Sequence, residues 1–325
     1  MDPENKRTLA LFSILTAGLL FGISTLAMLS GFEPFYSGYY SFAWWSYIIF
    51  IESLLYRRGG KSLLYENPRK FLLLLPLSAV VWQVFEAFNF RLSDWHYINI
   101  PSDTVARWTG YPIAYATVLP GIFSTKALLE FIGVLKNSRT APLSNPQKLY
   151  KPFILAGILC LILPLAWPEY FFPLVWLAFI FLMEPVNHRF GAPSLLRDWE
   201  TGSLRNSYLL LMAGAICGFL WELWNFWAGS KWIYSVPHLG FLKIFEMPLL
   251  GFFGFPPFAV ECYAMTAGFF LLISKVREKY PPVRALGIYT AVALAMLLFD
   301  LLVSAGIDHF TVISFQAFVP FGLRQ

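Results

Sequence analysis

Two short motifs place a carboxylate and an amide three residues apart within very apolar surroundings. They are Glu86 with Asn89 and Glu222 with Asn225. Residues three apart share one face of a helix, so each carboxyl lies beside its amide. A carboxyl enclosed by apolar side chains can keep its proton and act as a general acid. We therefore interpret Glu86 and Glu222 as candidate catalytic acids and expect Asn89 and Asn225 to orient them.

Aromatic residues lie near both motifs and form the second part of the candidate site. The faces of Trp, Tyr and Phe rings attract cations by about 0.5–2 kcal/mol each, so they can stabilise a carbocation formed by protonation. Enrichment of aromatic residues at membrane interfaces is the alternative explanation. A third candidate acid, Glu246, follows the second motif. The candidate substrate-binding residues are Trp82, Trp95, Tyr97, Trp221, Trp232 and Tyr234.

Long apolar segments must hold these residues in place. The chain has 325 residues, of which 58% are hydrophobic and 13% are charged, about half the charged fraction of a soluble domain. Apolar runs of roughly 17–25 residues predict membrane-spanning helices, because backbone polar groups in lipid must pair internally. The sequence predicts an all-α polytopic membrane bundle with about nine transmembrane helices. These are 8–29, 38–56, 71–90, 111–135, 152–167, 171–187, 207–227, 248–274 and 285–305.

The loop charges predict the orientation of this bundle. Of the 24 lysines and arginines, 18 fall on one side of the predicted helices. The positive-inside rule places that side, with the N-terminus, in the cytoplasm, and we expect a bacterial or archaeal cytoplasmic membrane. At about 1.5 Å of rise per residue, Glu86 and Glu222 then lie near the outer edge of the hydrocarbon.

An internal duplication relates the two motifs. Adding 136 to Glu86 and Asn89 gives Glu222 and Asn225, and Pro101, Pro112 and Pro120 meet Pro237, Pro248 and Pro256 in the same way. We predict one membrane domain over 1–325 that contains repeat 1 (8–135), repeat 2 (152–275) and an extra C-terminal helix and tail (285–325). Four helices return the chain to its starting side, so the two repeats have parallel orientation.

Several function classes are excluded by what the sequence lacks. The net charge is +5, but the basic residues are scattered among loops, so we expect no nucleic-acid partner. His96 and His238 do not occupy matched repeat positions, and no metal site is predicted. No glycine-rich phosphate loop is present, and no cofactor is predicted. The expected partner is a membrane lipid or an isoprenoid-like small molecule.

Two segments resemble the integral-membrane lycopene cyclase type of isoprenoid cyclase. They are "KWIYSVPHLGFLKIFEMPLLGFFGF" (231–255) and, more faintly, "DWHYINIPSDTVARWTGYPIAY" (94–115). The resemblance implies cyclisation or isomerisation of a lipid or isoprenoid. Independently of it, the chemistry of a partly buried carboxyl makes Glu86, Glu222 and Glu246 the candidate acids. Two alternatives stay open on the residues alone. One is a proton- or cation-coupled transporter that also uses an inner layer at Glu52 and Glu184. The other is a non-catalytic lipid-binding or membrane partner protein.

Overall fold

The computed structural model describes residues 2–238 and 240–323, and helices account for 73% of the residues. The protein is therefore all-α, as the composition predicts. The helices over the described range are α1 (Pro3–Leu29), α2 (Tyr39–Arg58), α3 (Leu63–Glu66), α4 (Pro68–Leu92), α5 (Thr104–Tyr115), α6 (Val118–Phe131), α7 (Tyr150–Ala166), α8 (Pro168–Phe171), α9 (Ala178–Arg189), α10 (Leu195–Glu200), α11 (Arg205–Trp227), α12 (Phe255–Lys279) and α13 (Pro282–Phe310).

Short strands and 3-10 turns connect these helices. The strands are β1 (Phe32–Glu33), β2 (Trp95–Ile98), β3 (Ile100–Pro101), β4 (Lys231–Tyr234), β5 (Lys243–Ile244), β6 (Met247–Pro248), β7 (Phe315–Gln316) and β8 (Gly322–Leu323). The 3-10 segments are Pro146–Leu149, Phe172–Leu177 and Leu249–Gly254. All strand pairs are two-stranded: β1 with β8, β2 with β4, β3 with β7 and β5 with β6. These pairs join loops to one another and build no larger sheet.

Eight helical segments within the described residues are long and apolar enough to cross a membrane. They are Pro3–Leu29, Pro68–Leu92, Thr104–Phe131, Pro146–Ala166, Pro168–Arg189, Arg205–Trp227, Leu249–Lys279 and Pro282–Phe310. The chain thus has the helices of a multi-pass integral membrane protein. The predicted span 38–56 forms α2, whose 20 residues are long enough to cross. Its tyrosines, serines and Glu52 make it less apolar than the other eight.

The structure divides into two compact units. Unit 1 comprises residues 1–134, 216–252 and 303–325, and unit 2 comprises 135–215 and 253–302. The core of unit 1 includes the fully buried side chains of Trp44, Phe85 and Leu119. In unit 2, α7 and α12 pack against α9. These contact-based units do not follow the predicted repeat boundaries, and the repeats themselves stay a prediction.

Local sequence signals explain where the short helices begin. The Ser62 hydroxyl accepts the backbone N–H of Tyr65 at the start of α3, and the Ser194 hydroxyl accepts that of Arg197 at the start of α10. A serine in this position satisfies one of the N–H groups that the first turn leaves unpaired. Helix α2 ends at Gly59, whose φ of 79° is a left-handed conformation that glycine adopts without strain.

Candidate functional site

The segments that follow the two motifs pair with each other in unit 1. Strands β2 and β4 are antiparallel, with Trp95 opposite Tyr234 and Tyr97 opposite Trp232. Alternate residues of a strand point to the same face, and directly opposed residues share a face. All four aromatic side chains therefore project from one face of this ribbon. The structure brings together four of the predicted substrate-binding residues.

Glu86 lies on this face and is saturated with hydrogen-bond donors. The Trp82 Nε1 donates to its Oε1 at 2.7 Å, the Tyr97 hydroxyl at 2.5 Å, and the Trp95 Nε1 at 3.2 Å. The Tyr115 hydroxyl lies 3.1 Å from that of Tyr97 and continues the chain. The Glu86 side chain is fully buried. Three donors aimed at one carboxylate stabilise its charged form.

Glu222 lies on the same face of the ribbon and has fewer donors, namely Tyr234 and a more distant Trp232. The Tyr234 hydroxyl donates to Oε1 at 2.7 Å, and the Trp232 Nε1 donates to the Tyr234 hydroxyl at 2.9 Å. Its Oε2 is buried and has no hydrogen-bond partner among the described residues. The Glu222 side chain is nevertheless as buried as that of Glu86. The two carboxyls thus differ in hydrogen bonding and not in exposure.

The two ribbon tyrosines act as donors at neutral pH. Burial, followed by the charge of Glu86, raises the pKa of Tyr97 well above its usual value. Burial and Glu222 raise the pKa of Tyr234 in the same way. The two phenols also interact electrostatically with each other. Tyr97, which binds Glu86, and Tyr234, which binds Glu222, are therefore close enough to interact.

Asn89 and Asn225 bind backbone instead of the neighbouring carboxyls. The Asn89 amide donates to the Trp95 carbonyl at 2.7 Å, and its oxygen accepts the Asp94 N–H at 2.8 Å. The Asn225 amide donates to the Trp232 carbonyl at 2.8 Å and accepts the Trp232 N–H at 2.9 Å. Asn89 and Asn225 therefore do not orient the glutamates as expected. Each amide fixes the entry into its ribbon strand.

Glu246, the third predicted acid, has a cationic partner. The Lys231 Nζ lies 2.6 Å from its Oε1, and both side chains are largely buried. The Glu246 carboxylate also interacts electrostatically with Glu222. Lys231 was not among the predicted site residues, although it stands beside Trp232 in the same segment. Glu246 therefore interacts with Glu222, another predicted acid, and forms an ion pair with Lys231.

Trp221 belongs to an aromatic cluster in unit 1. Its ring centroid lies 5.6 Å from that of Trp44, and Trp224 lies 4.8 Å from Trp44 on another side. A Cβ at Gly121 would lie 2.7 Å from the Trp44 ring, so only glycine permits this approach of α6. Tyr40 meets the Trp232 ring edge-on at 5.1 Å, which connects α2 to the ribbon. Tyr40 thus connects this aromatic cluster to Trp232, which neighbours the Tyr234 donor of Glu222.

Two structural supports of the site were not predicted. Asp308 near the end of α13 binds the Arg107 guanidinium with both oxygens, at 2.8 and 2.7 Å. The C-terminal strap, residues 311–323, holds the Tyr97 backbone: Tyr97 donates to the Thr311 carbonyl and accepts the Ile313 N–H. These partners are about 200 residues apart in the chain, so no local pattern could reveal them.

Within residues 2–238 and 240–323, no group of three His, Cys, Asp or Glu side chains could hold a metal ion. No protein-family model, curated protein or solved structure matches this chain. The chemistry of the site must therefore be argued from its own geometry.

Proposed function

We propose that this protein is a membrane enzyme that protonates an unsaturated lipid or isoprenoid, with Glu222 as the general acid. The observation that carries this proposal is the buried Glu222 Oε2, which has no hydrogen-bond partner among the described residues. Glu184 Oε1 and Glu261 Oε2 share this property, but only Glu222 accepts a hydrogen bond from a ribbon tyrosine, Tyr234. A buried carboxylate oxygen without a donor is costly, whereas a protonated carboxyl lowers that cost and presents an acidic O–H.

The neighbours of Glu222 support the same assignment. Glu246 has Lys231 as counter-ion, so Glu246 carries the negative charge of the pair. Two carboxylates in one apolar site repel each other, and the one without a cation keeps the proton. In contrast, Glu86 receives three donors and serves as a charged anchor of the ribbon.

The proposed reaction needs no oxidant or second substrate. The Glu222 O–H bond breaks, and its proton adds to one carbon of a C=C bond whose electron pair forms the new C–H bond. The carbocation left on the other carbon is attacked by a second double bond, or it loses a neighbouring proton. Loss of that proton to the Glu222 carboxylate regenerates the acid, so the overall change is isomerisation or cyclisation.

The aromatic residues suit the cationic step. Each ring face can stabilise a nearby cation by about 0.5–2 kcal/mol, and the effect grows where water is excluded. Trp232 packs against Tyr40 and donates to the Tyr234 hydroxyl that binds Glu222, and Trp221, next to Glu222 in the chain, packs against Trp44. Hydrophobic rings also exclude water, which would trap the cation as an alcohol.

The architecture that we propose follows the sequence analysis. It has nine spans, with α2 as the second, arranged as two parallel four-helix repeats and an extra helix, with a cytoplasmic N-terminus in a bacterial or archaeal membrane. The β2–β4 register supports the repeats, because Trp95 pairs with Tyr234 as Tyr97 pairs with Trp232. Such a self-complementary contact is what a two-fold relation between copies produces.

The transporter alternative has less support in unit 1. It requires a mobile or ion-accessible inner carboxylate, and Glu52 is fixed by three donors. The Ser62 hydroxyl donates to it at 2.7 Å, the Leu64 N–H at 3.0 Å and the Ser124 hydroxyl at 2.7 Å. A carboxylate satisfied in this way holds helix ends together.

Lipid analysis in heavy water tests the proposal. Isolated membranes that contain the protein, supplied in D2O with an unlabelled isoprenoid extract, should form products that carry deuterium at the protonated carbon, detected by mass spectrometry. Membranes with Glu222→Gln should lack them. Glu278→Gln is the matched control, because Glu278 forms an exposed pair with Lys275. Identical lipid profiles for membranes with wild type, with Glu222→Gln and without the protein would refute the enzymatic proposal.

A further inference from the structure

Three side chains in unit 2 form a hydrogen-bonded chain, called here the tyrosine triad. The Tyr150 hydroxyl lies 2.5 Å from His188 Nδ1, and His188 Nε2 lies 3.1 Å from Glu200 Oε2. Tyr150 begins α7, His188 lies in the last turn of α9, and Glu200 ends α10. Side chains from three helices therefore meet at one imidazole.

The hydrogen bonds of the triad have a defined direction. A carboxylate oxygen can only accept, so His188 Nε2 carries the proton that Glu200 Oε2 binds. His188 Nδ1 is then the acceptor for the Tyr150 O–H. A hydroxyl, an imidazole and a carboxylate in this order form the arrangement that activates a nucleophile. The imidazole can take the hydroxyl proton, and the carboxylate fixes the tautomer and stabilises the imidazolium.

The exposure of the three side chains suits a reactive centre. The imidazole of His188 is 5% exposed, so its position is set by protein contacts, whereas the Glu200 side chain is 43% exposed. Tyr150 is partly exposed to solvent, as a residue that meets a dissolved reactant must be. The hydroxyl is thus placed between a buried base and the surroundings of the protein.

Positive charge exceeds negative charge around the triad. Four exposed basic residues adjoin it in sequence or by a hydrogen bond. They are Lys148 and Lys151 near Tyr150, Arg189 after His188, and Arg197, whose Nη2 donates to the His188 carbonyl at 2.8 Å. The nearby acidic residues are Asp198 and Glu200. This excess favours an anionic reactant, and lysine and arginine are the usual partners of phosphate oxygens.

We propose that the tyrosine triad is a second reactive centre, in which the Tyr150 hydroxyl is a nucleophile toward a phosphoryl anhydride. His188 is its general base, and Glu200 is the positioning residue of that base. The centre goes beyond the proposed function, because it lies in unit 2 and Glu222 lies in unit 1.

The proposed step is a phosphoryl transfer to Tyr150. The phenol oxygen forms a bond to phosphorus while its proton moves to His188 Nδ1. The bond between phosphorus and the bridging oxygen breaks, and its electron pair leaves with that oxygen, which takes the proton from His188. The products are phosphorylated Tyr150 and the protonated leaving group, so no oxidant or metal-borne group enters the balance.

Chemical labelling of the full-length protein in detergent tests the proposal. The first probe is 4-ethynylbenzenesulfonyl fluoride, which forms sulfonate esters with nucleophilic phenols, and the second is acetyl phosphate. Mass spectrometry of peptides gives the rate at each tyrosine. Tyr150 should react with both probes at least about tenfold faster than Tyr208, an exposed tyrosine of unit 2, because a positioned general base contributes about 10²–10⁴-fold.

Variants then assign the reactivity to the triad. His188→Gln and Glu200→Gln should each lower the Tyr150 rate by about tenfold or more. Glu278→Gln is the matched control and should leave that rate unchanged, since Glu278 forms an exposed pair with Lys275. Glu200 is exposed, so its variant keeps the test decisive even where His188→Gln fails to fold.

Three results would overturn the proposal. The first is a Tyr150 rate equal to that of Tyr208, which would mean that the three hydrogen-bonded side chains only join their helices. The second is a Tyr150 rate that is unchanged in folded His188→Gln and Glu200→Gln. The third is reaction with the sulfonyl fluoride but not with acetyl phosphate, which would exclude the phosphoryl anhydride as reactant. None of these results changes the heavy-water test of Glu222.

Discussion

Removing one hydroxyl from each ribbon tyrosine distinguishes the charge states of the two carboxyls. Tyr97 donates to Glu86 and Tyr234 donates to Glu222, both at Oε1. Tyr→Phe deletes the same atom at both sites and leaves the ring in place. Any difference between the two variants therefore reports mainly on the acceptor.

The expected magnitudes follow from the acceptors. A hydrogen bond to a charged group contributes about 1.5–3 kcal/mol to stability, whereas a neutral one contributes about 0.5–1.5 kcal/mol. Glu86 is the charged acceptor in our assignment, and its Tyr97 hydroxyl also contacts that of Tyr115. Tyr97→Phe should therefore cost about 2–3 kcal/mol, and Tyr234→Phe about 1 kcal/mol.

Reversible unfolding in mixed micelles with increasing SDS, followed by circular dichroism, provides the free energies. Tyr208→Phe is a control, because its side chain is exposed and its change should stay within about 0.5 kcal/mol. The assignment fails if Tyr234→Phe costs as much as Tyr97→Phe. Equal costs would mean that both carboxyls are charged, and Glu222 would then have no proton to give.

Three further predictions concern residues around the ribbon. Asp308→Asn leaves the largely buried Arg107 without its counter-ion and should cost about 3 kcal/mol of unfolding free energy in the same assay, whereas an effect below about 0.5 kcal/mol would show that the pair is not structural. Burial raises the pKa of Asp94 from its usual 3.8 to about 7. The stabilisation from this protonation is complete below about pH 4 and is lost as the pH rises through 7. The unfolding free energy of Asp94→Asn, relative to wild type, should therefore be higher at pH 8 than at pH 4 by on the order of 2–4 kcal/mol. A difference between variant and wild type that does not change with pH would contradict this prediction. Lys231→Met should cost about 1–3 kcal/mol, and adding Glu246→Gln should restore most of that loss; simple additivity in this double-mutant cycle would argue against the ion pair.

The sequence alone predicted the all-α character and the apolar spans, whereas the catalytic role of the chosen carboxyls stays a prediction. Apolar length predicts the spans because the bilayer leaves the backbone few options, and eight segments have the required length and composition. The matched spacing of Glu86 and Glu222 correctly marked two carboxyls that share a ribbon face. Hydropathy was less informative for α2, since its polar residues face protein neighbours within unit 1.

Sequence patterns did not predict which partners the polar side chains bind. Asn89 has Glu86 one turn before it and the Trp95 backbone six residues after it, and spacing does not decide which it binds. The pairing of Arg107 with Asp308 depends on where α13 ends.

In the proposed enzyme, the Glu86 motif supports the ribbon and the Glu222 motif provides the acid. Donors saturate Glu86, and Asn89 with the C-terminal strap fixes the backbone around Tyr97. Because β2 and β4 are hydrogen-bonded in register, fixing β2 also fixes Tyr234 above Glu222. Under the proposed function, Glu86 is thus a positioning residue for Glu222, the proposed acid. In this proposal, Glu86 does not need to donate a proton, because its hydrogen bonds hold the ribbon that positions Tyr234 and Glu222.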